Sequence, residues 1–204
     1  MIYKLLQTVE VVFQKFYNFV LRRRFNRSSK LYIHRSARIF GAENISIGAN
    51  FTALVGLRLE AVVRYHSLDY APKIVIKDNV TFTDYVHIGA TNYVEVGNNV
   101  LVASKVFISD HSHGFYSGVD QSSPETPPSK RDLTRDKSVI IEDNVWICES
   151  VSILPGVRIG FGSIIGAHAV VTGDIPPFTI AVGAPARVVK KYNMATRQWD
   201  AADA

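Results

Sequence analysis

From residue 141 the chain reads IEDNVW ICESVS ILPGVR IGFGSI IGAHAV, and a large aliphatic returns at every sixth position: Ile141, Ile147, Ile153, Ile159, Ile165 and Val171. Four residues after each comes a second, often smaller residue: Val145, Val151, Val157, Ser163, Ala169 and Ile175. The same phase occurs upstream at Ile76, Phe82 and Ile88, with Val80 and Val86. After a slip of two residues it resumes at Val96, Val102 and Ile108, with Val100 and Val106. A weaker series runs through Ile39, Ile45, Phe51, Leu57 and Val63. This period fits neither the roughly 3.6 residues of a helical turn nor the alternation of a strand. It fits a solenoid with three flat sides to each coil, one hexapeptide to a side. The aliphatic points inward, and Gly, Asn or Asp makes the corner, as in IGAN, IKDN, VGNN and IEDN. No coil buries its own apolar row, so coils must stack; about six, at a strand spacing of roughly 4.8 Å, give a prism about 29 Å long. A sandwich would place turn signals every roughly 8–12 residues, which this spacing rejects. The fold class is therefore all-β, with the repeat running from about residue 33 to 175.

The register fails at one place. Ile108 is followed by Ser109, Asp110 and His111, and the phase does not return until Val139. Between them lie Pro124, Pro127 and Pro128 and the charged run KRDLTRDK, which cannot stack as coils. An excursion of this length, about 110–138, is predicted to be a protruding, lid-like loop, and such segments are usually functional. His111 and His113 stand where the rigid scaffold lets go of it. Three readings compete for them: inert polar turn residues, metal ligands joined by His87, or a general base. A general base needs only one neutral imidazole within hydrogen-bonding reach of a substrate hydroxyl.

Composition narrows the rest. A chain of 204 residues, 47% hydrophobic, is long enough to bury a full core. Its net charge of +5 suits anionic partners, but no base-reading basic helix or aromatic RNA platform accompanies it, so nucleic acid is excluded as a partner. Cys148 is the only cysteine, which rules out a disulfide framework and fits a cytoplasmic protein. At the N-terminus, Leu5, Val9, Val12, Phe13, Phe16 and Val20 recur at helical spacing and are followed by Arg22, Arg23, Arg24 and Arg27. Lys4, Gln7, Glu10, Gln14, Lys15 and Asn18 interrupt the apolar run too often for a signal peptide or a membrane span. This is an amphipathic helix that either packs on the body or a neighbouring subunit, or lies on a membrane surface with its arginines on anionic lipid. The chain divides into this basic helix (1–30), the β-helix with its excursion (31–178) and a C-terminal segment (179–204).

The stretches VLVASKVFISDHSHG, VWICESVSILPGVRIG, IGAHAVVTGDIPP and VGAPARVVKKYN resemble the bacterial O-antigen O-acetyltransferases of lipopolysaccharide synthesis. More distantly they are similar to the maltose and galactoside acetyltransferases, all within the hexapeptide-repeat family. The resemblance implies a left-handed parallel β-helix, a homotrimer and a short C-terminal helix. It also implies acetyl transfer from acetyl-CoA to a sugar hydroxyl, with no metal required. On it His111 takes the place of the catalytic base, with His113 as fallback; Ala167, Thr172 and Trp146 lie by the pantetheine arm and active-site loop; and Arg187 and Lys190 suit the CoA phosphates. Asp84, Tyr85, His87 and Tyr116 are candidates for the acceptor pocket, Asp84 also for orienting the base. Related sequences usually carry glycine where Cys148 stands, so the thiol is expected to be a tolerated small residue. The acceptor would be a lipopolysaccharide O-antigen or other surface polysaccharide, met in the cytoplasm or at the inner membrane face through residues 1–27. The rivals are an N-acyltransferase on an amino sugar, a zinc enzyme resembling the carbonic anhydrases built on this helix, and a non-catalytic scaffold.

Overall fold

The computed structural model describes residues 2–25 and 30–202, and the side chains of 2–7 fall outside the description, as does Arg27. Each hexapeptide is a short strand and a corner. Leu31–Ile33, Arg38–Phe40 and Ile45–Ile47 make the first coil; Leu101–Val102, Phe107–Ser109 and Ser138–Ile141 make the fourth. Strands of successive coils pair in parallel along three sides. Side I begins at Leu31–Ile33, side II at Arg38–Phe40 and side III at Ile45–Ile47. The register stacks like on like: Ile88 lies between Leu59 and Ile108, and Val96 between Ile76 and Ile141. The aliphatics at 141 to 171 and at 76 to 108 named from the period are all buried in one continuous core, so the parallel β-helix follows directly from the repeat.

The weaker upstream series needs correction. The row that continues the main phase is Ile47, Ala53 and Leu59; Ile45, Phe51 and Leu57 belong to the second inward row, and Val63 is exposed. Asparagine explains the corner between sides III and I. Asn50, Asn79, Asn99 and Asn144 all take φ of 55 to 60°, the left-handed region that asparagine tolerates. Their amides form a ladder from coil to coil, Asn50 to Asn79 to Asn99 to Asn144, at 2.8, 3.1 and 3.0 Å.

Two insertions leave the corner between sides II and III. One is a small hairpin, Arg64–Tyr65 with Leu68–Asp69, from the second coil. The other is the excursion of residues 110–137, from the fourth. They are clasped together: the Tyr70 hydroxyl donates to Leu133 O and accepts from Leu133 N–H, both at 3.2 Å, and the Tyr65 hydroxyl donates to Ser129 O at 3.0 Å. The excursion is therefore a folded flap with a short 3-10 turn at Pro128–Lys130, rather than a bare loop.

The helix α1, Ile2–Phe25, closes the first coil. Ile33 would present an unpaired strand edge; instead the Gln14 amide donates to Ile33 O at 2.6 Å and Ile33 N–H donates to Asn18 Oδ1 at 2.8 Å. The far end differs from expectation. Among the described residues no C-terminal helix is present, and Arg187–Asn193 and Gln198–Ala201 form an antiparallel hairpin that extends side I past Thr179–Val182. Val188, Val189, Tyr192 and Trp199 favour strands, and Tyr192 pairs with Trp199 across the hairpin with ring centroids 5.2 Å apart.

Candidate active site

Side II of the third and fourth coils is the floor of the site, with His87 paired to Phe107 and Gly89 to Ser109. The chain leaves the prism at Asp110, whose side chain is wholly buried. A buried carboxyl group is tolerable only when its oxygens are matched by donors. Here Thr91 N–H donates to Oδ1 and Asn92 N–H to Oδ2, both at 2.9 Å, so the corner of the third coil holds the carboxylate from beneath. The third partner is His111 Nδ1, 2.9 Å from Asp110 Oδ1. Because the carboxylate only accepts, Nδ1 carries the proton and Nε2 is left with its lone pair. Ser109 fixes the backbone of the same turn, its hydroxyl donating to His111 O at 2.9 Å.

The ring lies over Gly89. A side chain at that position would begin 3.2 Å from His111 Cε1 and 3.9 Å from both His111 Nε2 and His87 Nε2, so it would press on the His111 ring. Beyond it runs a charged chain: Arg58 donates to Glu60 at 2.7 Å, and His87 Nε2 meets the other Glu60 oxygen at 3.0 Å. Burial, helped by the neighbouring Arg58, lowers the His87 imidazole below its ordinary value in spite of Glu60. Burial would raise Glu60, but hydrogen bonds from Arg58 and His87 outweigh it and hold the carboxyl below the usual range. The His111 ring, bonded through Nδ1, thus faces the hydrogen-bonded His87–Glu60 pair across Gly89.

His87 is the expected acceptor residue brought nearest His111. His113 stands on the excursion, its Nδ1 3.4 Å from the Tyr65 hydroxyl, and Tyr116 is held there by Arg131, whose guanidinium donates to its hydroxyl at 2.7 Å. Among the described residues no three His, Cys, Asp or Glu side chains gather as metal ligands. Asp84 and Tyr85 turn a different corner, between sides I and II. Asp84 Oδ1 accepts Val55 N–H at 2.9 Å, and the carboxylate in contact with the His111 ring is that of Asp110. Ala167 and the half-buried Cys148 share that corner, and burial raises the thiol above its ordinary value. Thr172 follows Val170–Val171 of the sixth coil at the His111 corner, Trp146 is exposed on side I, and Arg187 and Lys190 lie in the C-terminal hairpin.

The family of bacterial transferase hexapeptide repeats (six repeats) matches residues 138–173. The chain is 45% identical over 160 residues to the putative lipopolysaccharide biosynthesis O-acetyl transferase WbbJ of Escherichia coli, covering 78% of each chain. It belongs to the hexapeptide-repeat acetyltransferases. A galactoside O-acetyltransferase of Lactococcus lactis is 37% identical over 53% of this chain and 54% of its own length. Among solved structures, galactoside acetyltransferase in complex with coenzyme A matches with TM-score 0.50 at 29% identity, over 75% of this chain and 71% of that one. AntD, an N-acyltransferase from Bacillus cereus solved with dTDP and 3-hydroxybutyryl-CoA, shares the fold: TM-score 0.52, 23% identity, 81% of each chain.

Proposed function

We propose that this acetyltransferase moves the acetyl group of acetyl-CoA to a sugar hydroxyl of a surface polysaccharide such as a lipopolysaccharide O-antigen. The observation that carries the chemistry is the His111 ring, locked through Nδ1 by Asp110 with Nε2 open above Gly89. Nε2 takes the hydroxyl proton as the sugar oxygen attacks the thioester carbonyl. The tetrahedral intermediate collapses, the C–S bond breaks, and the imidazolium gives its proton to the departing CoA thiolate. Asp110 steadies the transient imidazolium, and no acyl-enzyme forms. Cys148 has no part in this.

The working unit in this reading is a homotrimer of left-handed prisms. Its intersubunit grooves would bring the pantetheine arm, with Ala167, Thr172 and Trp146, to His111, while Arg187 and Lys190 meet the CoA phosphates. Asp84 and Tyr85, at the corner between sides I and II, reach an acceptor only from such a groove, whereas Tyr116 approaches from the flap, its hydroxyl bonded to His113 O. The protein acts in the cytoplasm, in peripheral contact with the inner membrane face through residues 1–27. Thiol release from acetyl-CoA tests the reading against a panel of hexoses and their amino sugars. Release with the hexoses supports it. Release confined to amino sugars would make the protein an N-acyltransferase, and none with any acceptor would overturn it.

A further inference from the structure

A surface helix ordinarily turns its apolar face to the body and its polar face to water. α1 departs from this, because its docking stripe is half polar and a second apolar face is left exposed. Its docking stripe is Glu10, Gln14, Tyr17, Asn18, Leu21 and Phe25: Gln14 and Asn18 hydrogen-bond to the edge at Ile33, Glu10 pairs with Arg35 at 2.8 Å, and Tyr17, Leu21 and Phe25 touch the core. Val9, Val12, Phe13, Phe16 and Val20 then fall on another face, about 130° round at 100° per residue. They are exposed, Phe13 by 63% and Phe16 by 64%. A soluble surface seldom leaves a contiguous apolar face uncovered.

Charge says what covers it. Arg23 sits at the end of this face with its guanidinium 4.5 Å above the Phe19 ring and Lys15 is exposed, while Arg22 and Arg24 reach back to Leu31 O and Ala42 O. The one acidic side chain described on the helix, Glu10, is paired with Arg35. Beside the helix a cavity of about 1190 Å³ opens against side I, where Lys15 and Arg22 stand with Phe19 and Tyr32. Cations over an aromatic floor next to an apolar ridge suit a phosphate headgroup and its acyl chain. A second copy packed helix to helix brings no free acid to meet them, since Glu10 is already paired with Arg35.

We propose that α1 is a foot that seats the protein on an anionic lipid bilayer. Val9, Val12, Phe13, Phe16 and Val20 sink to the acyl boundary, with Lys15 and Arg23 on the lipid phosphates. No described helix is long and apolar enough to cross a membrane, so the contact is interfacial. This gives the peripheral contact of the functional reading a surface and a lipid class, and rests on that reading.

The test is co-sedimentation of the full chain with phosphatidylcholine vesicles, with and without phosphatidylglycerol. Neither acetyl-CoA nor a sugar is needed, so failure here is separable from failure of acetyl transfer. The protein should sediment with the anionic vesicles only, and less as salt rises. Phe13→Ser/Phe16→Ser and Lys15→Gln/Arg23→Gln should each lower partition roughly tenfold. Both pairs are exposed, so acetyl transfer to a soluble sugar should persist and report an intact fold. Wild-type protein left in the supernatant of anionic vesicles would overturn the proposal. So would Phe13→Ser/Phe16→Ser protein that binds them normally but has a smaller oligomeric mass, which would give the face to a second copy.

Discussion

Replacing Asp110 with asparagine keeps the shape of the turn but puts an NH2 where only acceptors fit. Placed at Oδ2 it faces Asn92 N–H; placed at Oδ1 it faces both Thr91 N–H and His111 Nδ1. Asp110→Asn should therefore lower kcat on the order of a hundredfold or more and destabilise the fold by about 1–3 kcal/mol, read by steady-state rates and a denaturant melt. Cys148→Ser should keep most of the activity, because burial holds the thiol protonated and direct transfer needs no nucleophile. His87 titrates below its ordinary 6.5, so it is neutral at pH 7 and can donate Nε2–H to Glu60. The sign follows: this contribution to stability is present above pH 6.5 and is lost as pH falls through the lowered folded value. An NMR pH titration of the His87 ring would check it; an inflection above 6.5 would contradict it. His111 was legible in the sequence because it stands where the period stops. Glu60 and Gly89 were not, because outward-facing residues of a coil carry no period, and only the register shows that they lie opposite each other.

Hairpin and flap form the one element pair whose contact no local pattern announces. Tyr70 and Leu133 are 63 positions apart, and their two hydrogen bonds join insertions from different coils. Tyr70→Phe leaves Leu133 N–H without that partner, in a buried place, and should cost about 1–3 kcal/mol. Hydrogen exchange should speed up across residues 112–136 while the coils keep their protection; uniform loss everywhere would contradict a separately clasped flap. The loss of the period after Ile108 and its return at Val139 placed the start and end of the excursion in the sequence but not its internal fold. The C-terminal hairpin was obscured because Val188 and Val189 are bracketed by Arg187, Lys190 and Lys191, a mixture that reads as readily as a helix end.

At the scale of the molecule each coil is stabilised only by the coils above and below, so damage in one layer reaches the site by way of its neighbours. Ile141 lies in the coil that carries His111, and Ile141→Ala should cost about 2–5 kcal/mol in a denaturant melt. The site is three coil spacings, about 14 Å, above the coil that α1 closes. A protein seated on lipid through α1 would therefore meet sugars held away from the headgroups. The column itself was legible almost throughout, because the same inward pattern is repeated coil after coil; what lies against its outer faces was not, since outward positions carry no period. The central claim is that one imaginary cut, at the imidazole of His111, removes the chemistry and leaves the column. Rate and acetyl-CoA affinity of His111→Ala, measured on the same sample, test it: kcat should fall on the order of 10²–10⁴-fold with affinity unchanged. Transfer at the wild-type rate would contradict it.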